Sequence, residues 1–310
     1  MTILGSSSAL PIKNRFPSAH LLNVNERFYL IDCGEGTQIQ LRKFGVSFLK
    51  INHLFLSHLH GDHVFGIFGL LSTFELMGRK TAFTIYAPGN FKNVLNFYLS
   101  TFTHNNSFPI IHVTIPNKTS VIHEDKQCTV TAFPLTHKVE TYGFLFKEQK
   151  RALNLKKDVV EKYKIPVKDI PKIKAGYDYS NNQGQITIKN KELTLPPYKQ
   201  RSYAYCTDTI YKESLKELFT GVDLLYHEAT FLHEELKKAR ETCHSTSLQA
   251  AELANKSKAG HLLIGHFSAR YKDTSPLLEE AKNIFANTTA VNDGDVFEVG
   301  LARVIHNTNE

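Results

Sequence analysis

The chain has 310 residues, 42% of them hydrophobic and 22% charged, which is typical of a globular protein and argues against a disordered one. The start, MTILGSSSALP, has no basic region followed by an apolar stretch, and no apolar run approaches the ~20 residues of a membrane helix. We therefore expect a cytoplasmic protein without membrane contact. Four widely spaced cysteines with no C-x-x-C pair favour reduced thiols over a disulfide framework.

The net charge of +7 is concentrated in one segment. Between Lys147 and Gln200 there are 13 Lys and Arg residues against 6 Asp and Glu residues, so the remainder of the chain is balanced. Two interpretations stay open at this point. The segment is either a solvated lysine-rich surface or a device that grips a polyanion, because phosphates attract clustered Lys and Arg.

Short apolar strands alternate with helical periodicity along the chain. In chain order, the patterns predict strands at Ala19–Val24, Phe28–Ile31 and His53–Ser57, a helix at Val64–Met77, a strand at Phe83–Ala87, a helix at Phe91–Phe102, strands at Val121–Ile122, Val130–Phe133, Tyr142–Phe146 and Ser202–Thr207, a helix at Lys212–Phe219, a strand at Leu224–Glu228, helices at Glu234–Arg240 and Ser247–Lys256, a strand at His261–Gly265, a helix at Pro276–Phe285, and strands at Val296–Val299 and Ala302–Ile305.

The pattern breaks between residues 149 and about 199, where four of the eleven prolines lie. A short helix at Leu155–Tyr163 is predicted there, and the remainder indicates an inserted arm. We expect one domain over residues 1–310 that carries this arm at about 149–199. Two successive halves, each with strands followed by helices, predict an α/β fold in which two sheets pack face to face with helices outside.

The run Ser57-His58-Leu59-His60-Gly61-Asp62-His63 follows a predicted strand and precedes a predicted helix. Four ligand-type side chains in six residues cannot all face one way on a regular strand or helix, and Gly61 permits the turn that brings them together. Imidazole and carboxylate groups suit Zn²⁺, and also Mn²⁺ or Fe²⁺. A polar loop with coincidental histidines is the alternative, which the length and position of the run disfavour.

Three further candidate ligands come directly after predicted strands. His137 follows the predicted strand Val130–Phe133 within a few residues. Asp208 follows the predicted strand Ser202–Thr207, and His266 follows the predicted strand His261–Gly265. Each of them alone is more often structural. Together with the histidine run they favour a two-metal centre at the edge of a sheet.

With these motifs the chain resembles the ribonuclease Z (tRNA 3′-endonuclease) branch of the metallo-β-lactamase superfamily. The run Ser57–His63 alone marks only the superfamily, whereas the H-E-A-T-F, H-S-T and H-F-S-x-R motifs are more specific to this branch. The resemblance extends over nearly the whole chain and implies a metallo-β-lactamase αββα sandwich with an inserted basic arm. The motifs that carry it are Pro11–Arg15, Ser57–His63, Pro134–His137, Tyr205–Thr209, His227–Phe231, His244–Thr246 and His266–Tyr271.

The resemblance also implies two Zn²⁺ ions per subunit. The ligands would be His58, His60 and His137 for one ion, Asp62, His63 and His266 for the other, and Asp208 as a bridge. Two metals roughly 3.5–4 Å apart suit in-line attack on a phosphodiester.

Catalytic roles are implied for Asp62, His244 and Glu228. His244 would donate a proton to the leaving 3′-oxygen, oriented by Glu228. The residues alone favour structural roles, with Glu228 as a helix-capping acid and His244 as a polar neighbour of a helix start, and the catalytic roles rest on the resemblance.

Substrate contacts are expected near the metals. The helix that begins at Ser245 and Thr246 could direct its N-terminus at a phosphate. A core position for Phe267 is as compatible with the sequence as a substrate contact. Lys13 and Arg15 are also compatible with plain surface charges. The predicted contacts are Lys13, Arg15, Ser245, Thr246, Phe267 and Arg270.

The function implied by the resemblance is that of a zinc-dependent endoribonuclease that removes the 3′ trailer from precursor tRNA and leaves a 3′-hydroxyl. Its partners would be precursor tRNA, gripped by the basic arm, and a second subunit in a homodimer. The Gly- and Pro-rich arm tip usual in the family is replaced here by Ile165–Pro171. The alternatives are another phosphodiesterase of the superfamily, acting on cyclic nucleotides or general diesters, and a non-catalytic RNA-binding relic, which the intact ligand positions disfavour.

Overall fold

The computed structural model describes residues 1–10, 12–13, 15–103, 107–181 and 187–303. Pro11 and Asn14 of the predicted loop motif, and the end of the predicted strand Ala302–Ile305, lie outside the described residues. The chain divides into two compact units. The first unit comprises Met1–Glu148 and Ser202–Val299, and the second unit comprises Gln149–Arg201 and the chain from Gly300 onward.

Two sheets form the first unit. The first sheet has the strand order β1-β2-β3-β4-β5-β6, antiparallel as far as β3 and parallel from there on. Its strands are β1 Thr2–Gly5, β2 Ala19–Val24, β3 Arg27–Ile31, β4 Ile51–Phe55, β5 Phe83–Ala87 and β6 Ile110–Thr114. The strands of the second sheet are β7 Ser120–Glu124, β8 Cys128–Pro134, β9 Tyr142–Glu148, β10 Ser202–Cys206, β11 Leu224–Glu228, β12 His261–Gly265 and β13 Thr288–Ala290.

The helices of the first unit lie between these strands in the chain. They are α1 Thr37–Lys43, α2 Gly61–Val64, α3 Ile67–Leu76, α4 Phe91–Phe102, α5 Leu215–Leu218, α6 Leu236–Thr242, α7 Ser247–Lys256 and α8 Ser275–Lys282, with 3₁₀ turns at Phe48–Lys50 and His233–Glu235. No helix among the described residues is long and apolar enough to cross a membrane. The four cysteines, all described, form no disulfide.

The two sheets pack face to face through aromatic side chains. Phe55 of the first sheet lies edge-on to Phe144 and Phe146 of the second, with ring centroids 5.6 and 5.3 Å apart. Truncating a ring buried in this way typically costs about 3–5 kcal/mol. Helices α1, α3 and α4 cover the outer face of the first sheet, and α7 and α8 that of the second. The predicted αββα sandwich is therefore confirmed.

Strand register in the second sheet places the candidate site. Strands β10, β11 and β12 run parallel, with Cys206 opposite His227 and Glu228 opposite Gly265. Their carboxyl ends therefore reach one edge together. Asp208 lies two residues after the end of β10, and His266 comes directly after the end of β12.

Several predicted elements have the observed bounds, among them Ala19–Val24, Leu224–Glu228 and Ser247–Lys256. The single helix predicted at Val64–Met77 is wrong, because α2 and α3 are separated at Phe65 and Gly66. A Cβ on Gly66 would lie 2.0 Å from the carbonyl oxygen of Gly34, so the chain passes too close there for any larger residue.

At the chain end, the predicted strand Val296–Val299 is also wrong, since only an isolated bridge joins Val296 to Thr2. Strand β6, by contrast, has no counterpart among the predicted elements.

The second unit has a small hydrophobic core of its own, formed by Ile165, Ile173, Tyr179, Ile188 and Leu193. Short helices at Lys157–Lys162, Ile170–Lys174 and Asn190–Leu193 and a 3₁₀ turn at Val167–Asp169 surround it. Two short strand pairs join Asn154–Leu155 to Thr194–Leu195 and Tyr179–Ser180 to Thr187–Ile188. Its exposed lysines include Lys162, Lys164, Lys168, Lys172 and Lys174.

Candidate metal centre and active site

The predicted ligands converge at the edge formed by the strand ends of the two sheets. Their possible ligand atoms fall into two groups, in each of which all atoms lie within 4.8 Å of one another. The groups are His58, His60, His137 and Asp208, and Asp62, His63 and His266. Asp208 and His266 also form a further cluster of this kind with His244.

Asp208 connects the two groups. Its Oδ2 atom lies 3.6 Å from His58 Nε2 and 3.7 Å from His137 Nε2. Its Oδ1 atom lies 3.5 Å from His63 Nε2 and 3.3 Å from His266 Nε2. Each carboxylate oxygen therefore faces a different set of imidazole nitrogens.

The spacing within the groups fits a metal ion. His60 Nδ1 lies 3.1 Å from His58 Nε2 and 3.2 Å from His137 Nε2. A tetrahedral zinc with 2.0–2.1 Å bonds separates its ligand atoms by about 3.4 Å. Nitrogen atoms that crowd together at this distance are brought together most simply by a shared cation.

His63 supports the same conclusion. Its Nε2 atom is buried and has no hydrogen-bond partner among the described residues, and Asp62 Oδ2 lies 3.4 Å away. Burial lowers the pKa of His63, but the carboxylates of Asp62, Asp208 and Asp32 raise it well above its usual value. Three acids around one buried imidazole favour positive charge, and the imidazole and carboxylate donors together define a divalent metal site.

Asp32 holds His63 in place. Its Oδ2 atom accepts a hydrogen bond from His63 Nδ1 at 2.8 Å and another from the Tyr205 hydroxyl at 2.7 Å. Its Oδ1 atom accepts from the Ser57 backbone N–H at 2.7 Å. Because Asp32 holds Nδ1, Nε2 is the nitrogen that faces the metal site, where a bound cation would take the place of its proton. Sequence reasoning missed Asp32, whose signal is its position directly after a strand.

The remote nitrogens of two other ligands are held in the same way. His137 Nδ1 donates to the Cys243 carbonyl at 2.8 Å. The Thr230 hydroxyl donates to Glu228 Oε2 at 2.6 Å, so its oxygen accepts from His266 Nδ1 at 3.0 Å. These bonds fix the tautomer that aims Nε2 at the centre.

Glu228 and His244 form a pair beside the ligands. Glu228 is fully buried, and its Oε1 atom accepts from His244 Nδ1 at 3.0 Å and from the backbone N–H groups of Thr209 and Ser245 at 3.0 and 2.9 Å. Burial lowers the pKa of His244, but Glu228, with Asp208 beyond it, raises it to about 9. The predicted pairing is therefore present, and the charge of Glu228 favours the protonated imidazole.

Three predicted substrate contacts are corrected. Ser245 is buried, and its hydroxyl donates to the Thr209 carbonyl at 2.7 Å. Thr246 is buried and caps α7 by accepting from the Gln249 N–H, so this helix start is closed by its own side chains. Phe267 is 1% exposed and belongs to the core.

The three basic residues of the predicted set have different surroundings. Lys13 is exposed. Arg15 lies over the Phe267 ring and donates to Thr274 Oγ1 at 3.3 Å. Arg270 pairs with Glu235 at 2.8 Å. Their role in substrate binding stays a prediction.

A cavity of about 600 Å³ opens over the ligands. Its walls include His60, Asp62, His137, Asp208 and His244. A metal site whose ligands face an open cavity is typical of a catalytic centre, because structural zinc sites are closed by protein ligands.

The fold has close structural counterparts. Human tRNase Z, short form, aligns with a TM-score of 0.69 at 24% identity, covering 96% of this chain and 98% of that one. The metallo-β-lactamase fold protein YhfI from Bacillus subtilis aligns with a TM-score of 0.68 at 20% identity, covering 96% and 97%. The fold is therefore that of the metallo-β-lactamase proteins, and the site is a cluster of His and Asp side chains of the kind that binds divalent metals.

Sequence comparison narrows this class. The chain is 46% identical over 287 residues to the ribonuclease Z of Bacteroides fragilis strain YCH46, covering 92% of this chain and 94% of the relative. The chain belongs to the ribonuclease Z family. The ribonuclease Z of Cytophaga hutchinsonii is 41% identical over 308 residues, covering 99% and 98%. Residues 1–164 also match the family model described as Anti-Pycsar protein Apyc1.

Proposed function

We propose that this protein is an endoribonuclease that removes the 3′ trailer from precursor tRNA and leaves a 3′-hydroxyl on the tRNA. The observation that carries the proposal is the Glu228–His244 pair, 3.0 Å apart, beside a His and Asp metal centre. Relatives named ribonuclease Z that match 92% to 99% of the chain support the same function. A structural neighbour is named a tRNase Z.

The proposed centre holds two Zn²⁺ ions per subunit. When bound, they supply the positive charge that activates water and stabilises the negative charge building on the phosphate oxygens. The same donors suit Mn²⁺ or Fe²⁺. His58, His60 and His137 would hold one ion and Asp62, His63 and His266 the other, and Asp208 lies between the two groups.

Asp62 has a second role in this proposal. Burial would raise the pKa of its carboxyl, but His63 and His266 lower it well below its usual range. The carboxylate therefore stays ionised throughout the working pH range. It accepts a hydrogen bond from the attacking water and orients that water toward phosphorus.

His244 completes the reaction at the leaving group. A water oxygen forms the new bond to phosphorus and releases one proton to solvent as the bond to the tRNA 3′-oxygen breaks. His244 gives its Nε2 proton to that oxygen, which becomes the 3′-hydroxyl, and the phosphate stays on the trailer. Glu228 holds Nδ1 and stabilises the imidazolium before transfer.

The second unit is the proposed grip on tRNA. Its exposed lysines, five of them between Lys162 and Lys174, provide a basic surface of the kind that neutralises phosphates. We propose a homodimer as well, supported by exposed apolar side chains on α3 and α4, namely Leu76, Phe97 and Phe102. Light scattering of the purified protein tests the dimer. Cytoplasmic location stays a prediction.

The deciding experiment is incubation of the purified protein with a 3′-extended tRNA, followed by mapping of the cut and of its end groups. The proposal requires cleavage directly after the discriminator base, a 3′-hydroxyl on the tRNA, and loss of cleavage after chelation. Hydrolysis of cyclic nucleotides without tRNA cleavage would identify another phosphodiesterase. Binding of tRNA without any hydrolysis would identify a non-catalytic RNA-binding protein.

A further inference from the structure

A second groove of about 610 Å³ lies beside the catalytic cavity. Its walls come from the loop around Lys13 and Arg15, the start of α1, and the segment that begins at Phe65. The groove and the catalytic cavity share Pro17, Glu35 and Phe65 as lining residues. The groove is therefore continuous with the cavity that contains the metal ligands.

Two large apolar side chains in this groove face solvent. Phe65 is 63% exposed and Ile39 is 58% exposed. Phe65 lies two residues after the run Ser57–His63, and its ring packs so closely on Gly61 that a Cβ there would lie 2.3 Å from it. An exposed aromatic ring held at the junction of two cavities is a platform on which a base can stack.

The polar groups of the groove suit a nucleotide. Lys13 and Arg15 supply positive charge for a phosphate, and Glu35 is the acid among the lining residues. The Gln38 amide oxygen accepts from the Thr73 hydroxyl at 2.9 Å, which fixes the orientation of the amide. Among the described residues the amide nitrogen has no hydrogen-bond partner, so it is free to donate to a base edge.

We infer that this groove binds the first nucleotide of the 3′ trailer, with its base stacked on Phe65. The inference rests on the proposed function. His244 protonates the leaving 3′-oxygen, which belongs to the tRNA body, so the tRNA side of the cut lies at His244. His244 is a wall of the catalytic cavity and is absent from the described walls of the groove. The groove therefore receives the nucleotide on the other side of the cleaved phosphate.

The test compares two precursor tRNAs that differ only in the first trailer nucleotide, which carries its base in one and is abasic in the other. The wild-type protein should cleave the abasic substrate with kcat/KM lower by roughly fivefold to a hundredfold, the loss of one base–aromatic stack. We define the ratio as kcat/KM for the substrate that carries the base divided by kcat/KM for the abasic substrate. Phe65→Ala should bring this ratio close to one. Because a disturbed metal centre would slow both substrates alike, this ratio reports on the groove alone.

Phe65→Trp, which keeps an aromatic face, should restore the ratio. Ile39→Ala, on α1 and away from the metal-binding run, should lower the ratio in part and covers the case in which Phe65→Ala fails to fold. Val121→Ala, a similarly exposed apolar side chain on β7, should leave the wild-type ratio. A wild-type protein that does not distinguish the two substrates would overturn the inference. So would a change of oligomeric state in Phe65→Ala, which would make the groove a subunit interface.

A separate measurement distinguishes failure of this inference from failure of the proposed function. If the wild-type protein cleaves no precursor tRNA, the proposed function is wrong. The groove is then tested by fluorescence anisotropy with a short 5′-phosphorylated single-stranded RNA. Weaker binding to Phe65→Ala than to the wild-type protein supports a nucleotide site, and equal binding contradicts it.

Discussion

Tyr205 donates a hydrogen bond to Asp32 over 2.7 Å, although the two residues lie 173 positions apart in the chain. Both side chains are fully buried. Asp32 also accepts from His63 at 2.8 Å, so a strand of the second sheet supports an imidazole presented by the first. This bond ties the alignment of the two sheets to the orientation of a candidate ligand.

Removal of the Tyr205 hydroxyl should therefore weaken metal binding. We expect Tyr205→Phe to lower zinc affinity by roughly 10-fold or more, as is common when the partner of a metal-binding histidine is disturbed. Competition with a chromophoric chelator measures the affinity. Tyr203→Phe is the matched control, because the Tyr203 hydroxyl is also buried but bonds His20. Equal affinities in the two variants would contradict the role of Tyr205.

Loss of the proposed acid should separate metal binding from turnover. His244→Ala should retain both metals and lose most turnover on precursor tRNA, with kcat falling roughly 10²- to 10⁴-fold. Metal analysis and single-turnover cleavage measure the two properties. His261→Ala, remote from the site at the start of β12, should behave as the wild type. Wild-type kcat in His244→Ala would show that another group protonates the leaving oxygen.

The pH profile should have an alkaline limb set by His244. Its pKa is raised to about 9 by Glu228 against the effect of burial, so the proton needed for transfer is present at lower pH and is lost as the pH rises through that value. Bound cations repel the imidazolium and move the limb below 9. In Glu228→Gln the stabilising charge is gone, and the limb should move lower still. An unchanged limb in Glu228→Gln would exclude His244 as its source.

Asp208 should control both metal positions at once, because each of its oxygens faces a different group of nitrogens. We expect two ions per wild-type chain and fewer than one in Asp208→Ala by elemental analysis. Chelation of the wild-type protein should abolish cleavage and lower the melting temperature, and added zinc should reverse both effects. Asp208→Ala with two ions per chain would rule out a bridging role.

The second unit should contribute to tRNA binding and not to the chemistry. Deletion of residues 150–198 should weaken tRNA binding and reduce its salt dependence while sparing hydrolysis of a small phosphodiester. A milder variant replaces Lys162, Lys164, Lys168, Lys172 and Lys174 with Ala and keeps the small core. Filter binding at several salt concentrations compares the three proteins. Unchanged affinity after the deletion would remove the unit from substrate recognition.

The candidate ligands could be predicted from the sequence because each lies in a short motif next to a strand end. The hydrogen bond between Tyr205 and Asp32 could not be predicted from the sequence, because it forms only when the two sheets pack face to face. Ser245 and Thr246 were wrongly expected to meet substrate, because the sequence alone does not show that Thr246 closes the helix start that it precedes. The break in the helix at Gly66 depends likewise on a distant backbone atom, the Gly34 carbonyl.

The aligned ends of β10, β11 and β12 also govern how this protein can change over time. One residue inserted inside any of these strands would turn its side chains to the opposite face and displace Asp208, Glu228 or His266 from the other two. A residue inserted in a connection at the amino end of the same strands would leave that geometry untouched. We therefore expect length variation among descendants of this chain to accumulate on the side of the second sheet away from the cut RNA.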